Sequence, residues 1–277
     1  MKKLKLLLLI LISTCLISCD NNSDNPDENN HNKPILSDDE IFNDMSEKEV
    51  MNKIQEKISE KEKYYIETIG KTNTKVIFKY EQETQTKTFY SKDYVFTDIS
   101  SNSFVVSRDH KVYSSQNNVS YYDSKESSDE NDIIKKSKTD YLKDFGIIHS
   151  KENFFDFIIN DNTITSINKG KIDDLYALEL ELKEEATANL KVQMKELGSL
   201  NSYPKFEKII LTIKFNKNFE VLSYDSYQEY SINIALLGTT NCTQNLSSTI
   251  KYDNYKEPNL EKYNDKPLNL SLAFGLL

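Results

Sequence analysis

The chain has no tryptophan, and its 277 residues include only six glycines, five prolines, three cysteines and three histidines. Each scarcity removes a class of chemistry. Six glycines leave no loop able to bring several backbone amides onto a phosphate. Nor do they form the Gly-x-Ser-x-Gly turn that exposes a nucleophilic serine, since Gly198-Ser199 lacks the second glycine. His31, His110 and His149 have no cysteine, histidine or paired acid beside them at the spacing of a zinc site, which needs three or four converging ligands. Carboxylates are abundant, but no pattern selects two of them as an acid and base pair. The sequence therefore nominates no catalytic residue, no metal ligand and no cofactor. Basic residues are also in the minority, 35 Lys+Arg against 44 Asp+Glu, for a net charge of −9. Nucleic acid is a poor partner for such a chain, because its binding is driven by cations that neutralise phosphates.

The one long apolar run stands at the start. Lys2, Lys3 and Lys5 give a basic beginning, Leu4 to Leu16 an apolar stretch, and Leu16-Ile17-Ser18-Cys19 its end. A membrane-spanning helix needs about 20 apolar residues, so this run matches the basic and apolar regions of a secretory signal instead. An ordinary signal ends in small residues, and Leu16 suits that pattern poorly. The segment resembles the bacterial lipobox. That resemblance implies that Cys19 carries the S-diacylglycerol and N-acyl groups and becomes the first residue of the mature chain. Cys15, preceded by Thr14, is the weaker acceptor. Loss of residues 1–18 removes three lysines and no acid, leaving 259 residues and a net charge of −12. Cys242 is then the sole free thiol, so the fold has no internal disulfide; at the start of a strand it reads as inert packing. Two or more acyl chains anchor a protein stably where one does not. The expected location is the extracytoplasmic face of a bacterial cell membrane, with the membrane itself as partner through Cys19.

Behind Cys19, residues 20–39 read DNNSDNPDENNHNKPILSDD and carry too little apolar surface to offset the entropy of ordering. Residues 19–44 are thus expected to be a lipidated cysteine with a disordered acidic tether, and residues 45–277 a single β-rich domain. The tether's acids lack the spacing and the glycine of a calcium loop.

Within the domain, Ser46-Glu47-Lys48-Glu49 is a capping box, and Val50, Met51, Ile54 and Ile58 repeat at helical spacing behind it. Short segments rich in Tyr, Phe, Val, Ile and Thr follow: Tyr64–Ile69, Lys75–Tyr80, Lys87–Tyr90, Tyr94–Asp98, Phe104–Val106, Lys111–Ser114 and Val119–Tyr122. Gly70–Asn73 and Ser100–Asn102 read as turns between them, so the segments predict a meandering antiparallel sheet. An acidic loop, Asp123–Asp132, leads to a helical run over Ile133–Phe145 that Gly146 can stop. Ser150 can cap a second short helix carrying Phe154, Phe155 and Ile158. Strands resume at Thr163–Ile167 and Leu175–Lys183, and Glu184–Leu200 reads as a third helix. Lys208–Phe215 and Phe219–Leu236 form a hairpin about Asn216–Asn218, with a slip of apolar phase between Val221 and Tyr230 that marks a bulge. Gln244–Tyr252 and Leu268–Phe274 alternate as a last pair.

This order of elements, with the lipobox, the helix at Ser46–Ser59, the strands at Tyr64–Tyr122, the helices at Ile133–Ile159 and the hairpin at Lys208–Leu236, resembles the LolA-like superfamily of half-barrel lipoprotein and lipid carriers. That superfamily includes mycobacterial-type lipoproteins that carry lipids to the outer envelope. The resemblance implies an α+β fold in which a curved antiparallel sheet, a half-barrel, wraps a few helices. It also implies a gap between sheet and helices that admits an acyl chain, lined by inward strand faces and by helices such as Phe154–Ile158. The expected function is a membrane-anchored lipoprotein that binds or carries a hydrophobic, lipid-like ligand and is not an enzyme. The alternative is a surface structural or interaction lipoprotein whose Tyr and Phe fill a solid core.

Overall fold

Helices α1 (Asp38–Asp44) and α2 (Glu47–Glu60) precede five strands, β1 (Lys63–Lys75), β2 (Lys79–Ser91), β3 (Val95–Asn102), β4 (Ser107–Ser115) and β5 (Asn118–Asp123). A short β6 (Ile134–Ser137) leads into α3 (Lys138–Phe145). The hairpin of β7 (Ile164–Ile172) and β8 (Leu175–Leu182) is followed by a 3-10 turn at Glu184–Thr187 and by α4 (Ala188–Leu197). Strands β9 (Lys205–Phe215), β10 (Val221–Ile234) and β11 (Gly238–Lys251) complete the order. This computed structural model describes residues 38–75, 79–102, 107–116, 118–234 and 238–263. The signal segment, Cys19, Phe104–Val106 and Leu268–Phe274 fall outside those residues in whole or, for the strand calls, entirely.

The eleven strands form one open, curved antiparallel sheet in the order β6-β5-β4-β3-β2-β1-β11-β10-β9-β8-β7. The α+β class with a curved antiparallel sheet is therefore the one expected from sequence. Two meanders make the sheet, and they are joined where β1 pairs with β11, from Tyr65 opposite Lys251 to Lys75 opposite Asn241.

The capping box forms as read: the Glu49 amide donates to Ser46 Oγ at 3.3 Å and the Ser46 amide donates to Glu49 Oε2 at 2.7 Å. Those bonds satisfy two of the otherwise orphaned donors at the start of α2. Val50, Met51, Ile54 and Ile58 are all buried, against Leu178 and Leu180 of β8, Ile209 to Phe215 of β9, and Phe154 and Phe155. This apolar cluster fills the inner, helix-bearing face of the sheet on the β8–β10 side. A second cluster, Val112, Val119, Tyr121, Tyr141 and Phe145, fills it at the β4–β6 end. On the outer face Tyr65 stacks on Tyr255, and Phe89 and Phe96 meet Tyr255 and Tyr263 edge-on, in the segment that follows β11.

Helix α1 occupies residues assigned above to the end of the tether. Asp39 accepts from Lys171 Nζ and from Tyr176 Oη, both at 2.6 Å, at the first turn. Lys169 Nζ donates to the Phe42 carbonyl at 2.9 Å, to that of Asn43 at 2.8 Å and to that of Met45. An anion at the N-terminus and a cation at the C-terminus both complement the helix dipole. Phe42 is buried, its ring 4.6 Å from Tyr176 and 6.1 Å from Phe215. All these partners lie more than a hundred residues away, beyond the reach of local pattern.

Several local expectations give way to tertiary pairing. Gly70–Asn73 lie inside β1 and Ser100–Asn102 form the end of β3, so neither segment is a turn. A Cβ on Gly70 would lie 2.5 Å from Leu246 Cδ2, so glycine here admits a neighbouring leucine. The helical run over Ile133–Phe145 splits, because Ile134–Ser137 pairs with β5 before α3 begins. The segment after Ser150 is a series of turns in which Ser150 and Asn153 bond one another, and no helix forms at Phe154–Ile158. The bulge does occur, as register shifts at Val221/Ser223 and at Glu229/Tyr230.

Truncating a buried phenylalanine costs roughly 3–5 kcal/mol. Phe42→Ala is expected to lower stability by about 3 kcal/mol in urea denaturation; a change below about 0.5 kcal/mol would show α1 to be dispensable.

Candidate functional site

Between the two apolar clusters the inner face changes character. Inward positions on β1, β2 and β3 that line the space are mostly hydroxyl and amide side chains, Thr68 on β1, Gln82, Thr84, Thr86 and Thr88 on β2, Thr97 and Ser101 on β3, with Val95 and Ile99 of β3 among them. Strand register places them side by side, Thr68 opposite Thr86, Thr88 opposite Thr97 and Thr84 opposite Ser101. Above them lies a cavity of about 240 Å³. Its other wall is aliphatic, formed by Ile147 and Ile148 after α3, by Leu190, Met194 and Leu197 of α4, and by Leu200. Sites for drug-sized ligands commonly enclose about 300–1,000 Å³, so this one has room for a small group or part of one chain.

No residue of α4 is fully buried, though Leu190, Met194 and Leu197 pack partly buried against the two apolar clusters, and its C-terminal end is tied to the sheet by charge. Arg108 of β4, at the cavity wall, donates from Nε to Asp123 Oδ1 at 2.8 Å and from Nη2 to Asp123 Oδ2. Its Nη1 donates to the carbonyls of Glu196 and Leu197, at 2.6 and 3.0 Å, where a cation complements the C-terminus of α4. His110, two residues on along β4, meets Asp123 Oδ2 through Nδ1 at 3.2 Å and Tyr141 Oη through Nε2 at 2.8 Å. Arg108, His110 and Asp123 are all buried. Burial pushes the His110 imidazole below its ordinary value of 6.5 despite the neighbouring carboxylate. Burial alone would raise the Asp123 carboxyl, but hydrogen bonds from His110, Arg108 and the Lys125 amide hold it well below the ordinary 3.8. The consistent state is an ionised Asp123 balanced by Arg108, with a neutral His110 that donates from Nδ1 and accepts at Nε2 from Tyr141.

The second buried histidine on the wall, His149, bonds Tyr64 Oη through Nε2 at 3.0 Å and lies 3.8 Å from Asp156 Oδ1. Tyr64 stacks on Tyr90 with ring centroids 4.6 Å apart. Gly146, at φ +76°, caps α3 and lets the chain pass close under α4, where a Cβ would lie 2.4 Å from the Asn189 carbonyl oxygen. Among the described residues no group of three His, Cys, Asp or Glu is placed to hold a metal ion, and no helix is long and apolar enough to cross a membrane.

Cys242 is buried within β11, 3.4 Å from Thr74 Oγ1, with its thiol pushed up by burial. The expected cavity wall at Phe154–Ile158 is corrected: Phe154, Phe155 and Phe157 belong to the solid core, and of that stretch Asp156 alone lines the cavity. The hydrogen bond between His110 and Asp123 was invisible in the sequence because thirteen residues separate them. Cross-strand pairing of β4 with β5 sets them directly opposite.

No protein-family model matches the chain. No curated protein matches it either. Among solved structures it is similar to a LolA superfamily protein from Nitrosomonas europaea, at 11% identity over 76% of this chain and 96% of that one, with a TM-score of 0.30. It is also similar to a structure assigned as an outer membrane lipoprotein-sorting protein domain from Vibrio parahaemolyticus, at 11% identity over 76% and 94%, with a TM-score of 0.32. What those proteins sort or bind is a property of theirs.

Removing one partner of a buried ion pair costs about 3–5 kcal/mol because the other charge is left uncompensated. Arg108→Ala is expected to lose stability in that range, and Arg108→Met combined with Asp123→Leu to lose clearly less. Equal losses in urea denaturation would refute the charge argument. His110 and Asp123 both have depressed folded-state values, so the unfolded chain binds more protons on acidification. Their stabilisation is complete above about pH 6.5 and declines as pH falls through the His110 range and then below the ordinary carboxylate range. The urea midpoint should fall between pH 7.5 and 5, and less so in His110→Gln; a flat profile in the native chain would contradict the assignment.

Proposed function

We propose that the chain is a lipid-anchored extracytoplasmic lipoprotein of a bacterial envelope that binds or carries a hydrophobic, lipid-like ligand and performs no catalysis. The anchor is Cys19, acylated on sulfur and on nitrogen after removal of residues 1–18. Residues 19–37 serve as the tether, and the sheet with its helices as the binding domain. The observation that carries the binding part is the cavity itself. The inner face is filled with Leu, Ile, Phe and Tyr at both ends, yet over β1–β3 it stays open beneath an aliphatic roof. A protein needing only a stable scaffold would close that gap, because interiors pack to crystal density.

The alternative, a surface interaction lipoprotein without a small-molecule ligand, is supported by the solid packing around α2. In that reading the space under α4 holds only water. Native mass spectrometry of the Cys19→Ala chain, produced without its acyl groups, separates the two. Co-purifying lipid-mass adducts that detach on activation are expected; a bare polypeptide mass in repeated preparations would favour the alternative. Metabolic labelling with an alkyne fatty acid should mark the native chain and leave Cys19→Ala unmarked. Persistent labelling of Cys19→Ala would move the anchor elsewhere.

A further inference from the structure

The floor of the cavity carries unused hydrogen-bonding capacity, and the charges around it are already spent. Thr84, Thr86, Thr88 and Thr97 line the cavity, and none of their hydroxyls is bonded to another described residue. Thr88 is the most enclosed of the four, at 5% exposed. Each hydroxyl offers one donor and two acceptor sites. Four of them on adjacent strands suit a group that both gives and takes hydrogen bonds.

An anion is poorly served in the same space. Arg108 is the sole Lys or Arg among the described residues that line the cavity, and four of its hydrogen bonds already go to Asp123 and to the Glu196 and Leu197 carbonyls. The carboxylate of Asp156 also faces the cavity, beside His149. A carboxylate or phosphate brought here would lose its water without gaining a cation, which disfavours it. A neutral hydroxyl group meets no such cost. Leu190, Met194, Leu197 and Leu200 face the hydroxyl floor with hydrocarbon, so the occupant needs an apolar part as well.

We infer that the cavity selects an uncharged, hydroxyl-bearing amphiphile of the monoacylglycerol type over free fatty acids and anionic phospholipids, with the threonines of β2 and β3 reading the hydroxyls. This inference rests on the lipid-binding reading proposed above and deepens it. In it the aliphatic roof supplies affinity for the chain and the threonine floor supplies the choice of head.

The test compares 1-monoolein, oleate and dioleoylphosphatidylglycerol as ligands of the Cys19→Ala chain by tryptophan-free methods, calorimetry and native mass spectrometry at pH 8, where oleate is ionised. Monoolein is expected to bind at least tenfold tighter than either anion. A variant with Thr84→Val, Thr86→Val and Thr88→Val keeps side-chain shape and strand propensity while removing three hydroxyls. It should lose at least tenfold for monoolein and change little for oleate, with its urea midpoint reported alongside to confirm folding. The single variant Thr97→Val provides a smaller loss in the same direction if the triple variant fails to fold. Binding of oleate or phosphatidylglycerol as tight as monoolein, or monoolein affinity unchanged by the valines, overturns the selection of head group while leaving lipid binding intact. Failure of all three probes to bind, with no co-purifying lipid, overturns lipid binding itself and this inference with it.

Discussion

The sheet is continuous because its first strand lies against its last. Strands β1 to β6 form one meander and β7 to β11 another, and only the ladder of β1 with β11 connects them. The contacts in that ladder join residues about 165–185 positions apart, from Lys75 with Asn241 to Tyr65 with Lys251. Closing so long a loop is entropically costly and belongs to slow-folding, high-contact-order topologies. The ladder also sets what the middle of the inner face contains. Thr68 is held between Ser248 on β11, at 2.8 Å through the two hydroxyls, and Thr86 on β2. A register slip of one residue would turn Glu67 and Ile69 inward and carry the threonines to the outer face.

Once the ladder is in place, the two halves of the inner face are covered by different physics. On the β8–β10 side α2 docks through four buried apolar residues, and hydrophobic area does the work. On the β2–β4 side α4 buries nothing completely and is positioned through its C-terminal carbonyls by Arg108 and through its close approach to Gly146. A roof held by directional bonds at one end can stand off from the sheet, whereas one driven by apolar burial would collapse onto it. The open space lies where Leu190, Met194 and Leu197 of α4 are only partly buried. Arg108 therefore neutralises Asp123, fixes α4 and leaves the cavity without a cation to offer.

Much of this architecture was legible where apolar periodicity was strong. The capping box at Ser46, the strand that begins at Leu175 and the slipped phase in β10 all reappear. The cavity floor was harder to see for a physical reason. Strand β2 alternates Gln82, Thr84, Thr86 and Thr88 with Glu81, Glu83, Gln85 and Lys87, so its inward side is polar too and shows no hydrophobic contrast. Threonine at every second position was the available signal, since its branched Cβ favours strands whatever the polarity of its other branch. Helix α1 and the Arg108 cluster left no comparable trace. Both depend on partners brought together by strand pairing, such as Lys169 and Lys171 for α1 and Asp123 for Arg108.

The threonine floor is difficult to explain by folding alone. Valine would supply nearly the same shape and as good a strand propensity at these positions, with apolar surface to bury. The buried Thr88 and the partly buried Thr84, Thr86 and Thr97 forgo this gain, whereas inward positions on β8 and β9 are tyrosine, leucine, isoleucine and phenylalanine. Buried polar residues also occur on β10 and β11, at Ser226, Gln228 and Ser248, but the threonines of β2 and β3 border open space. Hydroxyls there gain a partner only from what enters the cavity, either water or the polar part of a ligand. Water alone would be satisfied equally by a floor open to solvent and would need no aliphatic roof. The pairing of a hydroxyl floor with a hydrocarbon roof is matched by a molecule that has both surfaces.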